Sequence, residues 1–283
     1  MERTSFAAIT GSGGIAGWVT GHGPPVLALH GGPALNFNYL DEVVEEVGVR
    51  HRVATFQQRG LAPSTTKGEF TVAEAVGDIV AVLDELGWDT AYLMGHSWGG
   101  HLAFHAALAI PDRLSGVLAI DPLGGVGDGG SAEFVAELVV RMPDANRPRF
   151  DELEAKESAE GLSPGEDVEQ LRLLWPSYFA EPSTAPAMPP VEMSQPAYDG
   201  LWADLNTRLP ELEAALPSIR VPVGVLVGEH SPIPTKAGID TADRIPGAWW
   251  WAEPGAGHFI WLEAPGAVLT AMDRLTERSV PRC

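Results

Sequence analysis

Short runs of apolar residues, each bounded by Gly, Pro or Asp, recur along the chain and are typical of buried strands. We expect strands at residues 26–30, 52–56, 91–94, 116–120 and 223–227. Between several of these runs the apolar positions follow a helical spacing, most clearly over residues 71–86 with Val72, Val76, Ile79, Val80 and Leu83. Strands that alternate with helices predict βαβ units, and therefore an α/β fold with a parallel sheet covered by helices on both faces.

This alternation stops after Asp121, and strand-like spacing returns only at Val221. In between, the Gly-rich segment PLGGVGDGGS leads into acidic amphipathic patterns and then into a proline-rich stretch. We interpret residues 123–216 as an inserted, mainly helical cap domain. The core domain is then formed by residues 1–122 and 217–283 together.

The proline-rich stretch at 181–197 is less regular, and a plain exposed linker is an alternative interpretation of it. Large aromatic side chains near this stretch favour a cap, because they need burial. We predict that they line a substrate pocket between cap and core, or else form a small core inside the cap. These residues are Trp175, Tyr178, Phe179 and Trp202.

The clearest chemical motif is GHSWGG at residues 95–100. The strand-like AYLM precedes it and the helix-forming HLAFHAALA follows it, which is the context that a nucleophile elbow requires. Small residues flank Ser97 because the turn from strand to helix is tight and strained. The motif predicts Ser97 as a nucleophile raised above the sheet edge at a helix N-terminus, where the helix dipole favours an oxyanion.

A second motif, LALHGGP at residues 27–33, ends an apolar strand in a glycine-rich turn with unobstructed backbone N–H groups. Gly32 is a candidate for one oxyanion donor, and the backbone of Trp98, the residue after the nucleophile, is a candidate for the other. His30 could serve as a base, but a histidine at the end of a strand more often orders the following loop. We therefore expect a structural role for His30.

The third motif, GAGHFIWLEAP at residues 255–265, places His258 in a Gly-rich loop after the apolar segment AWWWA. This loop predicts His258 as the general base for Ser97. His101 and His105 lie four residues apart on one predicted helix, a spacing that can bind zinc. No further ligand accompanies them in the expected pattern, so we predict no metal site.

LHGGP, the FQQRG turn at 56–60, GHSWGG and the late GxGH loop, in this order, resemble the α/β-hydrolase superfamily, and within it the proline iminopeptidase branch. The resemblance covers residues 20–121 and 221–275. It implies an eight-stranded, mostly parallel sheet with a cap over the active site, and the order nucleophile, acid, histidine along the chain. The sequence departs from that pattern at Gln57, where the branch has an acidic residue, and at Ser231, where the acid of the triad is expected.

The identity of the acid is therefore open at the level of sequence. Asp121 ends the strand that follows the nucleophile strand, so its carboxylate should emerge at the same sheet edge as Ser97. The resemblance implies that some relatives use this location. Glu229 is the rival, because it lies two residues before the expected position. A Ser-His dyad, or another carboxylate such as Asp240, is a further alternative, and Asp121 would then only cap its turn.

Charge and cysteine content limit the classes of partner. With 18 basic and 38 acidic residues the net charge is −20, which repels nucleic acids and anionic membranes, so neither is an expected partner. The single cysteine, Cys283, cannot form an intrachain disulfide, and no signal peptide or membrane span is recognisable. These features predict a cytoplasmic protein and leave its oligomeric state open.

The sequence thus favours a serine hydrolase that cleaves a small, largely apolar ester, amide or related carbonyl compound through an acyl-Ser97 intermediate, without any cofactor. A proline iminopeptidase-like aminopeptidase is the first alternative. Because a fold does not fix a function, a cofactor-independent oxygenase or lyase, or a ligand-binding receptor on the same fold, is the second.

Overall fold

The computed structural model describes residues 1–279, so Cys283 lies outside the described residues. Eight strands in this part of the chain form one sheet in the order β1-β2-β4-β3-β5-β6-β7-β8. They are β1 (Thr4–Thr10), β2 (Gly13–Gly21), β3 (Pro25–Leu29), β4 (Arg52–Phe56), β5 (Ala91–His96), β6 (Leu114–Ile120), β7 (Val223–Gly228) and β8 (Trp249–Glu253). Strand β2 pairs antiparallel with both of its neighbours, β1 and β4. All other neighbouring strands of the sheet pair parallel.

The helices connect the strands and cover both faces of the sheet, as predicted. They are α1 (Asp41–Gly48), α2 (Val72–Glu85), α3 (Trp98–Ala109), α4 (Ser131–Arg141), α5 (Arg147–Glu160), α6 (Pro164–Leu174), α7 (Gln195–Ala215), α8 (Thr235–Arg244), α9 (Ile260–Glu263) and α10 (Ala267–Ser279). Helices α2, α3 and α8 pack on one face and α1 and α10 on the other. No helix within residues 1–279 has both the length and the apolar character needed to cross a bilayer.

The central strands end level with one another. Leu29 pairs with Gly95, Gly95 with Ala119, and Ala119 with Val225, so β3, β5, β6 and β7 present their carboxyl ends at one edge. In such a sheet this edge is where ligands bind. All residues of β5 and of β7 are buried, which explains why the two strands read as continuous apolar runs.

The chain between β6 and β7 contains α4, α5, α6 and α7, together with the irregular proline-rich stretch. The later part of α7 does not stand apart from the sheet, because Leu205, Leu209 and Leu212 are buried in the same cluster as α2 and α3. The predicted cap therefore shares a hydrophobic core with the sheet layer at its C-terminal end.

Candidate active site

The turn between β5 and α3 has the tight geometry that its glycines suggested. Ser97 adopts φ 57° and ψ −120°, a conformation that L-residues seldom adopt. A Cβ atom on Gly95 would lie 2.2 Å from the carbonyl oxygen of Gly99, and one on Gly99 would lie 2.3 Å from that of Leu29. Both flanking positions therefore exclude any side chain, and the serine is held at the start of α3.

Asp121 follows β6 at the same edge and contacts His258. Its Oδ2 atom lies 2.5 Å from His258 Nδ1, and its Oδ1 atom accepts a hydrogen bond from the Gly228 backbone N–H at 3.0 Å. The Ser231 hydroxyl donates to Oδ2 at 2.5 Å. Asp121 is 1% exposed and has φ 43°, so its side chain is fixed both by its backbone and by three donors.

The other carboxylates considered from sequence lie elsewhere. Glu229 is exposed beside His230, with 4.0 Å between their side chains, and Asp240 is exposed on α8. Ser231, at the position where an acid is expected, instead donates to Asp121. The structure thus brings His258 together with Asp121 and not with either rival.

Burial acts on both members of this pair. It lowers the pKa of His258, because the imidazolium would lose its hydration, and it raises the pKa of the Asp121 carboxyl for the same reason. Hydrogen bonds from Ser231 and Gly228 oppose the rise at Asp121. A neutral imidazole whose Nδ1 faces the carboxylate keeps a lone pair on Nε2, which is the form that a general base requires.

The loop after β3 lies against the serine, and a Cβ atom on Gly31 would be 2.9 Å from Ser97 Cβ. The Gly31 N–H donates to the Tyr39 hydroxyl at 2.5 Å and is thus occupied. The backbone N–H groups of Gly32 and Trp98 have no acceptor among residues 1–279. These two are the groups expected from sequence as oxyanion donors, and both remain free to bind one.

His30 bridges two loops in the way expected of a structural histidine. Its Nε2 accepts from the Gln58 backbone N–H at 3.0 Å, and its Nδ1 lies 2.9 Å from the Gly31 carbonyl oxygen. Gln57, the departure from the family pattern, donates from its amide to the Leu35 carbonyl oxygen at 3.0 Å. A carboxylate could not make that bond, so the glutamine is suited to this loop.

A cavity of about 400 Å³ lies above the sheet edge, and both Ser97 and His258 line it. Of the predicted substrate-binding aromatic residues, Trp175, Tyr178 and Trp202 line it too. Phe179 corrects the prediction, because it does not line the cavity: it is 2% exposed and its ring packs 5.4 Å from that of Phe259. Next to the proline-rich stretch, then, aromatic residues serve both as wall and as core.

The helices α5 and α6 form a helical wall of the cavity that carries acidic side chains. Glu154 and Glu157 from α5 and Asp167 from α6 line it, and the Gln170 amide donates to Glu154 at 2.6 Å and to Glu157 at 3.2 Å. No lysine or arginine of residues 1–279 is part of the lining. Burial and neighbouring carboxylates raise the pKa of Glu154 and of Asp167.

The His258 loop is tied to residues 178–180 from the chain between β6 and β7. The His258 N–H donates to the Tyr178 carbonyl oxygen at 2.8 Å. The Glu263 carboxylate accepts from the Gly257 N–H at 2.7 Å and from the Ala180 N–H at 2.9 Å. One glutamate thus fixes both the loop that carries His258 and the segment that lines the cavity.

His101 and His105 contact each other instead of facing the cavity. Their Nε2 atoms lie 3.2 Å apart, and His101 Nδ1 lies 3.1 Å from the Gly124 carbonyl oxygen. Within residues 1–279 no group of three or more His, Cys, Asp or Glu side chains is arranged to hold a metal ion.

Sequence reasoning missed several residues of this cavity. His96 had a signal, since it directly precedes Ser97, and Glu154 and Glu157 had one in their spacing of three along a helix. Tyr39 had none, because only the folded loop after β3 brings its hydroxyl to Gly31 and His96.

Comparison with known proteins agrees with this architecture. The model of the alpha/beta hydrolase fold family matches residues 24–265. Among solved structures, that of VinJ superposes with a TM-score of 0.74 at 21% identity, covering 98% of this chain and 99% of that one.

Curated relatives match over shorter regions. Epoxide hydrolase B of Mycobacterium tuberculosis is 36% identical over 109 residues, 37% of this chain and 31% of that protein. A proline iminopeptidase of Lactobacillus delbrueckii subsp. lactis is 37% identical over 87 residues, 28% of this chain and 29% of that protein. The match therefore spans less than a third of each relative's length.

Proposed function

Because the chain belongs to the α/β-hydrolase family, we propose that it is a serine hydrolase that transfers the acyl group of a small, largely apolar ester, amide or related carbonyl compound to water. The contact of 2.5 Å between Asp121 and the Nδ1 atom of His258, at the sheet edge that also carries Ser97, is the observation that supports this proposal most strongly.

In the proposed reaction the Ser97 hydroxyl attacks the substrate carbonyl while His258 Nε2 takes its proton. The backbone N–H groups of Gly32 and Trp98 stabilise the oxyanion of the tetrahedral intermediate. His258 then gives the proton to the leaving group, and a water molecule activated in the same way hydrolyses the acyl-Ser97 ester. Asp121 keeps the imidazole in its Nδ1–H tautomer throughout and stabilises the imidazolium.

The cavity supports a small, mainly apolar substrate. Its volume of about 400 Å³ lies at the lower end of the range for small-molecule sites. Leucine, valine and aromatic residues make up more than half of the lining residues, among them Leu123, Phe134, Leu138, Trp175 and Phe259. Such a surface binds an acyl chain by removing apolar area from water.

A panel of chromogenic acyl esters of increasing chain length, run beside prolyl and other aminoacyl amides, tests the proposal. We expect Ser97→Ala to lower kcat by ~10³ or more, since no other nucleophile lies in the elbow. A fluorophosphonate probe should add one adduct to the intact mass of the wild type and none to Ser97→Ala. Near-full activity in Ser97→Ala would instead support a non-hydrolytic oxygenase, lyase or receptor.

Aminopeptidase action is the second candidate, because Glu154, Glu157 and Asp167 line the cavity without any cationic side chain. Such a wall suits the ammonium group of an aminoacyl substrate. The test compares a prolyl amide with a neutral acyl ester in Glu154→Gln/Glu157→Gln. The matched control is Glu152→Gln, because the Glu152 carboxylate pairs with Arg149 on the surface of α5 and is not part of the cavity lining. A selective rise in KM for the prolyl substrate supports this candidate, and an equal effect on both substrates excludes it.

A further inference from the structure

Three loops around the candidate active site are joined by a chain of hydrogen bonds that the proposed reaction does not use. The Gly31 N–H donates to the Tyr39 hydroxyl at 2.5 Å, and that hydroxyl lies 2.9 Å from His96 Nδ1. His96 Nε2 lies 3.0 Å from the backbone carbonyl oxygen of His258. This chain of hydrogen bonds therefore begins at the loop after β3, which carries Gly31 and Gly32 and is called the oxyanion loop below. It passes through His96, the residue before Ser97, and ends at the backbone of His258.

The direction of each bond follows from the chemistry of its ends. A carbonyl oxygen only accepts, so His96 Nε2 carries the proton and donates it to His258. Nδ1 of the neutral ring then has a lone pair, which accepts the Tyr39 hydroxyl proton, and the Tyr39 oxygen accepts from Gly31. Burial and the nearby His258 lower the pKa of His96 well below its ordinary value, which keeps the ring neutral.

The surroundings leave these groups little freedom. His96 is 2% exposed, and its ring centroid lies 4.4 Å from that of His258 and 4.9 Å from that of Trp261. A Cβ atom on Gly31 would be only 2.9 Å from the Tyr39 hydroxyl oxygen. Without the hydroxyl, the Gly31 N–H and the His96 Nδ1 atom would each lose a hydrogen-bond partner, and the loop after β3 would lose its direct link to the end of β5.

We propose that Tyr39 and His96 are positioning residues. They hold the backbone of His258 and the oxyanion loop in the positions relative to Ser97 that the proposed reaction requires. This inference rests on the proposed serine-hydrolase function. It also gives Tyr39 a second role: by occupying the N–H of Gly31, the hydroxyl leaves the N–H of Gly32 as the donor that this loop can offer to an oxyanion.

Three variants test the individual hydrogen bonds between Gly31, Tyr39, His96 and His258. Tyr39→Phe removes the middle hydroxyl, His96→Asn keeps a polar atom near Nδ1 but loses the donor to His258, and His96→Gln keeps a donor near Nε2. We expect Tyr39→Phe and His96→Asn to lower kcat and the rate of fluorophosphonate labelling roughly 10- to 100-fold, with KM changed less than about twofold. His96→Gln should retain more activity than His96→Asn.

The control is Tyr92→Phe, which removes a phenol hydroxyl near the start of β5, four residues before His96 and outside the cavity lining, and should react at the wild-type rate. Wild-type rates in Tyr39→Phe, or equal losses in the two His96 variants, overturn the inference while the serine mechanism stands. No labelling of Ser97 in the wild type would overturn the proposed function itself.

A measurement on the wild-type protein tests the same inference without depending on whether the variants fold. Nitrogen-15 NMR of the histidine rings reports which nitrogen of His96 carries its proton. The Nε2–H tautomer with an accepting Nδ1 is the expected result, and the Nδ1–H tautomer at neutral pH overturns the inference.

Discussion

The sheet edge and the helical wall formed by α5 and α6 line the same cavity, yet they hold their polar groups differently. At the sheet edge, Asp121 and His258 are 1% and 3% exposed, and Asp121 accepts hydrogen bonds from three different groups. On the helical wall, Glu154 and Glu157 are exposed and share one partner, Gln170. The polar groups at the sheet edge are thus buried and held by several partners, whereas those on the helical wall are exposed and held by one.

This difference has a physical origin. The strand ends are set by the sheet register and by backbone conformations that few residues tolerate, so a side chain there cannot move without shifting the sheet. A side chain on a helix surface can change rotamer or identity at little cost to the fold. We therefore expect substitutions at the edge to change rates and substitutions in the wall to change preferences.

The largest effect should come from the carboxylate at the edge. Asp121→Asn should keep the fold but lower the acylation rate by roughly 10³ to 10⁴, because an amide cannot hold the Nδ1–H tautomer or stabilise the imidazolium. Rapid-mixing kinetics with a chromogenic ester measure this rate. Glu229→Gln is the control and should stay within about twofold of the wild type; a larger loss in that variant than in Asp121→Asn would transfer the role to Glu229.

A second experiment contrasts wall with core inside the helical region. Phe179→Ala should destabilise the protein by about 3–5 kcal/mol without changing which acyl chain is preferred, since the ring is buried away from the cavity. Trp202→Ala should shift chain-length preference by about tenfold and destabilise the protein less than Phe179→Ala does, because its ring lines the cavity and is only partly buried against the core. A reversed outcome, with altered preference in Phe179→Ala only, would show that the two rings have been assigned wrongly.

The smallest effect concerns stability against pH. Burial lowers the pKa of His30 and of His101 to about 4, while in the unfolded chain both titrate near 6.5. Between these pH values the unfolded state binds more protons than the folded state. The stability that the two neutral histidines contribute is therefore fully present above pH 6.5 and is lost as pH falls toward 4. A pKa lowered to this extent corresponds to a contribution of at most about 3 kcal/mol per histidine to the free energy of unfolding.

Urea denaturation at pH 4.5 and at pH 6.5 measures this loss. His101→Asn, which keeps a donor for the Gly124 carbonyl oxygen, should reduce the difference in unfolding free energy between the two pH values. The exposed His22→Asn should not change it. An unchanged difference in His101→Asn would mean that this histidine does not contribute to the acid sensitivity.

Sequence alone was sufficient for the parallel strands and for the motifs at their ends. Residues 91–94 and 223–227 are buried on both faces, so their apolar runs are unambiguous, and strand ends place Ser97 and Asp121 at one edge. The β1–β2 hairpin was not predicted. Much of β1 is exposed, including Ile9 at 80%, so its alternation of apolar and polar residues is weak.

The helical wall was predicted only in outline. Its composition indicated helices, but whether an aromatic ring such as Phe179 faces the cavity or the core depends on how those helices pack. Contacts between distant segments, such as the Tyr39 hydroxyl with His96, have no counterpart in local spacing. Sequence pattern encodes burial along one element, and it does not encode which elements meet.

The glutamate that ties the histidine loop to residues 178–180 determines how this protein could be recombined with its relatives. A chimaera that exchanges the whole chain between β6 and β7 would separate Glu263 from the Ala180 N–H, and His258 from the Tyr178 carbonyl oxygen. Grafts that keep residues 175–180 with the recipient's histidine loop and exchange α5 and α6 would avoid both losses. The natural crossover points for altering selectivity thus lie inside the helical region and not at its ends.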